Sequence, residues 1–157
     1  MLILFDTNII LDLALKRKGF FEDAFKLFKL IDQSKIKGWV TATTLTDIYY
    51  ISKREKGHLE TISFLKDLIE IVGVIGIDKE IVKEALFSNF LDFEDAVQAK
   101  AAELIQIEVI ISRNQKDFKH ASSKVLSPND FFQEYNFNWL QVIGSIQSTV
   151  SVSSLFW

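Results

Sequence analysis

The first eight residues, MLILFDTN, constrain this chain more than any other stretch. Leu2, Ile3, Leu4 and Phe5 form an unbroken apolar run that turns abruptly polar at Asp6, Thr7 and Asn8. A continuous run of that length, bounded by turn formers, is the pattern of a strand buried on both faces, as in a covered parallel sheet. Asp6 then stands at the carboxyl end of the strand, with Thr7 or Asn8 placed to cap a helix from about Ile9. In open α/β sheets, ligands bind in the crevice outside the carboxyl ends of the strands. A carboxylate there is either a site or a turn residue, and Asp6 alone does not decide which.

The rest of the chain alternates as such a sheet requires. After a short helical stretch, Ile9 to Leu15, and a polar break at Lys16 to Gly19, the residues Phe20, Phe21, Ala24, Phe25, Leu27, Phe28 and Ile31 recur at helical spacing. Trp39 to Ala42 reads as a short strand, with Thr43 or Thr44 as the cap of the next helix. Leu45, Ile48, Tyr49 and Ile51 give that helix its apolar face, and Lys53-Arg54-Glu55-Lys56-Gly57 ends it with cations suited to a helix C-terminus. A helix over about Leu59 to Glu70, a strand from Val72 to Ile77 and a helix capped by Asp78 follow. The alanine-rich stretch Glu94 to Ile107 is a strong helix former. Val109-Ile110-Ile111 and Val125-Leu126 are strands, and Ser127-Pro128 opens a last helix to about Glu134. The expected architecture is α/β, a three-layer α/β/α sandwich around a mainly parallel sheet of four to five strands. It spans residues 1–136. Residues 137–157 carry no charge and form a tail expected to add an edge strand or dock on another subunit.

With 157 residues the chain fits one domain with a real core, and fourteen Phe against a single Pro point to aromatic packing with few rigid turns. The absence of Cys excludes disulfides and thiolate chemistry. His58 and His120 lie in no informative motif. No basic leader precedes an apolar core segment and no stretch approaches 18 apolar residues, so a soluble cytoplasmic protein without a membrane span is expected. The net charge of −3 does not announce a nucleic-acid binder. The cations are nonetheless clumped, as Lys16-Arg17-Lys18, as Lys53, Arg54 and Lys56, and as Arg113, Lys116, Lys119 and Lys124. Such runs are usually solvated faces.

Four stretches share a carboxylate just past a strand or in the first turn of the next helix. They are LFDTN (Asp6), TTLTDIYY (Asp47), LDFEDAVQA (Asp92 and Asp95) and IISRNQKDF (Asp117). In a parallel sheet all four lie on one edge. Like charges brought together repel and raise each other's pKa. A hard divalent cation, Mg²⁺ or Mn²⁺, is the natural compensation, held by carboxylates, waters and phosphate oxygens. Such a site activates water for phosphodiester hydrolysis without a Cys or His nucleophile. Each Asp taken singly is also a preferred helix cap or first-turn residue. The set, at one expected edge, favours a site.

These blocks also carry a resemblance. DTN after an apolar strand, DFEDAVQA opening an alanine-rich helix and IISRNQKDF after a β-branched strand resemble the signature blocks of PIN domains, in particular bacterial VapC-type toxins of toxin–antitoxin modules. The likeness spans roughly Leu2 to Glu134. It implies an endoribonuclease dependent on Mg²⁺ or Mn²⁺, with catalytic, metal-holding acids at Asp6, Asp47, Asp95 and Asp117. Asn8, Ser112 and Asn114 are supporting polar groups, and Asp92 is either a fifth acid or a cap. Position 47 usually holds Glu in the family, so Asp47 is one methylene shorter; Ser112 stands where Thr is common. Arg113 and Lys116, at the rim, are placed to contact RNA backbone phosphates. The family also implies a homodimer and, for a toxin, an antitoxin seated as an amphipathic segment in a groove, with the Phe20–Phe28 helix and the helix from Leu59 as candidate walls. One competing reading is a PIN-like module that binds RNA or protein without cutting. Another is a receiver-type signalling domain using Asp78 and Ser112, to which Asp6, lacking an acidic neighbour in sequence, and Lys124, preceding its strand, are poorly suited.

Overall fold

The computed structural model describes residues 1–137. Five strands, β1 (Leu2–Phe5), β2 (Lys37–Thr41), β3 (Gly73–Ile75), β4 (Val109–Ile111) and β5 (Lys124–Leu126), form one sheet in the order β3-β2-β1-β4-β5. Every pairing is parallel. The helices are α1 (Thr7–Ala14), α2 (Phe21–Asp32), α3 (Ala42–Lys56), α4 (His58–Ile71), α5 (Lys79–Leu86), α6 (Phe93–Leu104) and α7 (Pro128–Glu134), with a single 3₁₀ turn at Gln115–Phe118.

The strand period of two sorts side chains onto the two faces. Ile3, Phe5, Val109 and Ile111 point into a core with Leu13 of α1, Phe28 of α2, Ile48 of α3, Leu68 of α4 and Phe131 of α7. Leu4 and Ile110 point the other way, against Ile81 of α5, Ala96, Ala99 and Ala102 of α6, and Phe118. Both faces are covered, which is why β1 and β4 are apolar throughout. Phe5 stacks on Phe28 with ring centroids 5.5 Å apart. The alanines let α6 lie close on its face. Gly38 answers a similar demand: a Cβ there would stand 2.5 Å from Phe5 Cε2 and 2.7 Å from Ile31 Cδ1.

Three local expectations are corrected. Thr7 and Asn8 lie inside α1 rather than before it, and Asp6 holds the N-cap position in extended conformation without a side-chain capping bond. The cap of α3 is Thr41, whose hydroxyl accepts from the Thr44 amide, because the chain leaves β2 directly into the helix. The strand expected from Val72 to Ile77 is three residues, Gly73–Ile75. Among the described residues no helix is long and apolar enough to cross a membrane. The roles expected of the tail fall on residues 138–157, outside the described residues.

The sheet order matters for what comes next. The chain starts at β1, winds outward through β2 and β3, then returns to the other side of β1 for β4 and β5. The reversal places the crevice of an open α/β sheet at the carboxyl ends of β1 and its neighbours. A receiver domain has a different strand order, 2-1-3-4-5. Asp78, moreover, caps α5 beyond the edge strand β3, accepting from the Ile81 amide at 2.9 Å.

Candidate active site

Register fixes the centre of the site. Phe5 pairs with Ile111, so Asp6 and Ser112 are the next residues on adjacent strands, and the Asp6 amide donates to the Ile111 carbonyl at 3.0 Å. Ser112 in turn donates its amide to the Leu126 carbonyl at 3.0 Å, which holds its backbone on β5. The Ser112 hydroxyl donates to Asp6 Oδ2 at 2.5 Å. Asn8 Nδ2 donates to the same oxygen, and Asn8 Oδ1 accepts from the Arg113 amide at 3.4 Å. The Asn114 amide donates to the Ser112 hydroxyl at 2.9 Å. Asp6, only 5% exposed, is therefore a buried carboxylate gripped by donors from α1 and the β4 loop rather than a helix cap. Burial pushes its pKa up, while the bonds from Ser112, Gln98 and Asn8 pull back.

Two side chains that the motifs do not single out, Glu94 and Gln98, complete the cluster. Gln98 is fully buried and its amide donates to Asp6 Oδ1 at 3.4 Å and to Glu94 Oε1 at 3.2 Å. Glu94 also accepts from the Thr7 hydroxyl at 2.6 Å. Thr7 lies 3.3 Å from the Thr44 hydroxyl, and Thr44 lies 2.9 Å from that of Thr41. A line of hydroxyls thus joins the starts of α1 and α3 to α6. The one signal in sequence was that Glu94 and Gln98 are four apart in the first turns of a helix, on one face of it.

Asp92 caps α6, accepting from the Glu94 and Asp95 amides at 2.8 and 3.3 Å. Asp95 follows in the first turn. Its pKa is pushed up to about 7, first by burial and then by charges that are all negative: Asp6, Asp92, Asp117 and Glu94. Asp117 comes from the 3₁₀ turn and is exposed. Asp47, one turn into α3, faces Glu94, and burial and that neighbour raise its pKa. Glu94 acts on Asp6 as well, so it is the shared neighbour of Asp47 and Asp6.

Arg113 is tied down. Its Nε lies 3.2 Å from Oδ2 of Asp12, a buried carboxylate of α1 that Arg17 also approaches at 3.6 Å, and its guanidinium carbon sits 4.2 Å from the Phe20 ring centroid. Burial raises the pKa of Asp12 while the two arginines pull it down. Lys116 is exposed beside Asp117.

The donor set is all oxygen, anionic and without a cation acting on Asp95, which is the chemistry a hard divalent ion satisfies. The residues fit Mg²⁺ or Mn²⁺ in kind. Among the described residues no three His, Asp or Glu side chains stand close enough to chelate one ion as they are.

The PIN domain family matches residues 2–116. No curated protein matches the chain. Similar solved structures include VapBC2 from Rickettsia felis bound to a promoter DNA fragment, 15% identical over 81% of this chain and 98% of that one, with a TM-score of 0.63. A toxin–antitoxin complex from Klebsiella pneumoniae is 24% identical over 80% of this chain and 97% of that one, with a TM-score of 0.61. VapC20 from Mycobacterium tuberculosis, described as a sarcin-ricin loop cleaving toxin, is 14% identical over 69% of this chain and 86% of that one, at a TM-score of 0.57.

Proposed function

The chain belongs to the PIN domain family, and we propose that it is a metal-dependent endoribonuclease, the toxin of a toxin–antitoxin pair. The observation that carries this reading is the gathering of Asp6, Asp92, Glu94, Asp95 and Asp117 at the β1–β4 crevice, where burial first and the other four carboxylates second push the Asp95 pKa up to about 7. A fold does not accumulate that repulsion by chance at the edge where α/β sheets bind ligands. Asp6, Asp95, Asp117 and Asp47 are the groups that would hold Mg²⁺ or Mn²⁺. When bound, the ion neutralises developing charge and acidifies water at the phosphodiester. Asp6 is oriented by Ser112, Asn8 and Gln98, so its carboxylate meets an incoming group in one pose. Glu94 holds a hydrogen bond from Thr7, which keeps it beside Asp47. Asn114 and Asp92 support the loop and helix around them. Lys116, with the partly exposed edge of Arg113, contacts RNA phosphates at the rim.

The fold shared with chains solved in toxin–antitoxin complexes supports an antitoxin partner. Phe20 and Leu59, exposed at 46% and 82% at the starts of α2 and α4, are the apolar contacts we assign to it. Purified protein is expected to cleave RNA with Mn²⁺ or Mg²⁺ and to stop in EDTA or with Asp6→Asn or Asp95→Asn. Cleavage that survives both substitutions overturns the assignment. A second reading, a module that binds RNA without cutting, is favoured by the lack of three chelating acids among the described residues. RNA binding with no cleavage in any metal would select it.

A further inference from the structure

Helix α3 leaves the acidic cluster carrying a stripe that the hydrolytic reading does not use. Thr44, Ile48 and Ser52 are its buried face. On the outer side Asp47, Tyr50 and Arg54 follow at i, i+3 and i+7, one line along the helix. At 1.5 Å per residue Tyr50 stands about 4.5 Å and Arg54 about 10.5 Å along the axis from Asp47. Tyr50 is 64% exposed, with the Tyr49 ring edge-on to it at 5.9 Å between centroids. Lys53 lies beside the stripe, its ammonium 5.8 Å from the Tyr50 ring and 5.0 Å from that of Tyr49. Tyr49 is itself fixed by a 3.0 Å bond between its hydroxyl and His58 Nδ1. Lys53 and Arg54 form no ion pair among the described residues, although Lys26, Lys29, Lys83, Lys100 and Lys124 on other elements each have a carboxylate partner. Exposed cations interleaved with an exposed ring are the surface that single-stranded nucleic acid uses, phosphates on the cations and a base on the ring.

We infer that Tyr50, Lys53 and Arg54 form a single-stranded RNA track leading away from the acidic cluster, in which Tyr50 stacks the base of a nucleotide flanking the scissile phosphate and the two cations bind its backbone. The inference rests on the ribonuclease reading. It also supplements the rim contacts of that reading: the cluster is strongly negative and Arg113 is largely engaged by Asp12, which leaves Lys116 as the one freely exposed rim cation assigned to RNA so far. A second copy of the chain covering the ring is the competing occupant. The cations favour RNA, because a two-fold self-interface centred on Tyr50 would bring Lys53 and Arg54 of two copies together.

The test uses the full chain carrying Asp95→Asn, with an end-labelled single-stranded RNA, and reads affinity from about 50 to 200 mM salt. Tyr50→Ala is expected to weaken binding about tenfold, while Tyr50→Phe, which keeps the ring, stays near the parent. Lys53→Gln with Arg54→Gln is expected to lower the slope of log affinity against log salt by about 1.4, at about 0.7 per phosphate contact on a single strand. Lys66→Gln with Lys79→Gln, at exposed positions of α4 and α5, controls for the loss of two positive charges. If these variants bind like the parent while wild type still cleaves, the track is wrong and the nuclease reading stands. If wild type neither binds nor cleaves RNA, both fall. If Tyr50→Ala instead dissociates a dimer and leaves RNA affinity intact, the stripe is a self-interface and the track is overturned.

Discussion

A carboxyl group that keeps its proton to about pH 7 weakens a fold as the pH rises from about 4 to neutrality, and Asp95 is such a group. In the unfolded chain it titrates near the ordinary 3.8. Between that value and about 7 the folded protein binds the extra proton, so stability from this group falls as pH rises and is flat above the interval. In EDTA, Asp95→Asn is therefore expected to raise the melting temperature by a margin that is small at pH 4, grows toward pH 7 and then holds. A margin that shrinks with rising pH would reject the repulsion argument. Asp6 and Asp95 were legible in sequence because an Asp directly after an apolar strand or at a helix start stands out, whereas Asp117, six residues past β4, entered through the block IISRNQKDF. Glu94 and Gln98 were not, since Glu and Gln are ordinary helix formers and nothing local says which face of α6 meets Asp6. The bond from Gln98 to Asp6 joins residues 92 apart, and that partnership exists only in three dimensions.

At the scale of the element, Asp92 does two things that substitutions can separate. It caps α6 through the Glu94 and Asp95 amides, and it places a negative charge beside Asp95. Asp92→Ala is expected to cost about 1 kcal/mol of stability, the usual value of a lost cap. Asp92→Asn keeps an accepting oxygen, so it holds stability but lowers the Asp95 pKa; denaturant melts and an NMR titration of the Asp95 carboxyl check the pair. Elements were readable where one signal dominated. The unbroken apolar runs of β1 and β4 and the alanine-rich α6 needed no arbitration. The start of α3 did, because Thr43 and Thr44 read as its cap candidates while Thr41, which read as strand, is the residue that caps it. Their hydroxyls are all within hydrogen-bond reach of one another through Thr41, and the end of β2 decides which of them caps. At α1 the opposite happened: Asp6 takes the cap position but its carboxylate is drawn off to Ser112, 106 residues away.

For the molecule as a whole, the alternation of helices and strands was enough to indicate a covered parallel sheet, but not the order β3-β2-β1-β4-β5 that puts Asp6 between β2 and β4. Nor did the net charge of −3 help, because it averages the acidic edge with the cations of α3. A ligand that relieves the repulsion at that edge stabilises only the folded state. Mn²⁺ or Mg²⁺ at about a hundredfold its Kd should add about 2.7 kcal/mol, roughly 5–10 °C in melting temperature for a domain of this size. Asp6→Asn or Asp95→Asn should remove that rise. A melting temperature indifferent to metal in the wild-type protein would count against any resident ion. The sheet order has one more consequence, for the chain as it is being made. Asp6 emerges among the first residues, yet its hydroxyl partner is 106 positions later and arrives, at about 5–20 residues per second, roughly 5–20 s after it. β4 must also slot in beside β1 from the far end of the chain, a non-local step that comes late in folding. A nascent chain thus carries the first acid long before it carries the constellation that surrounds it in the folded protein.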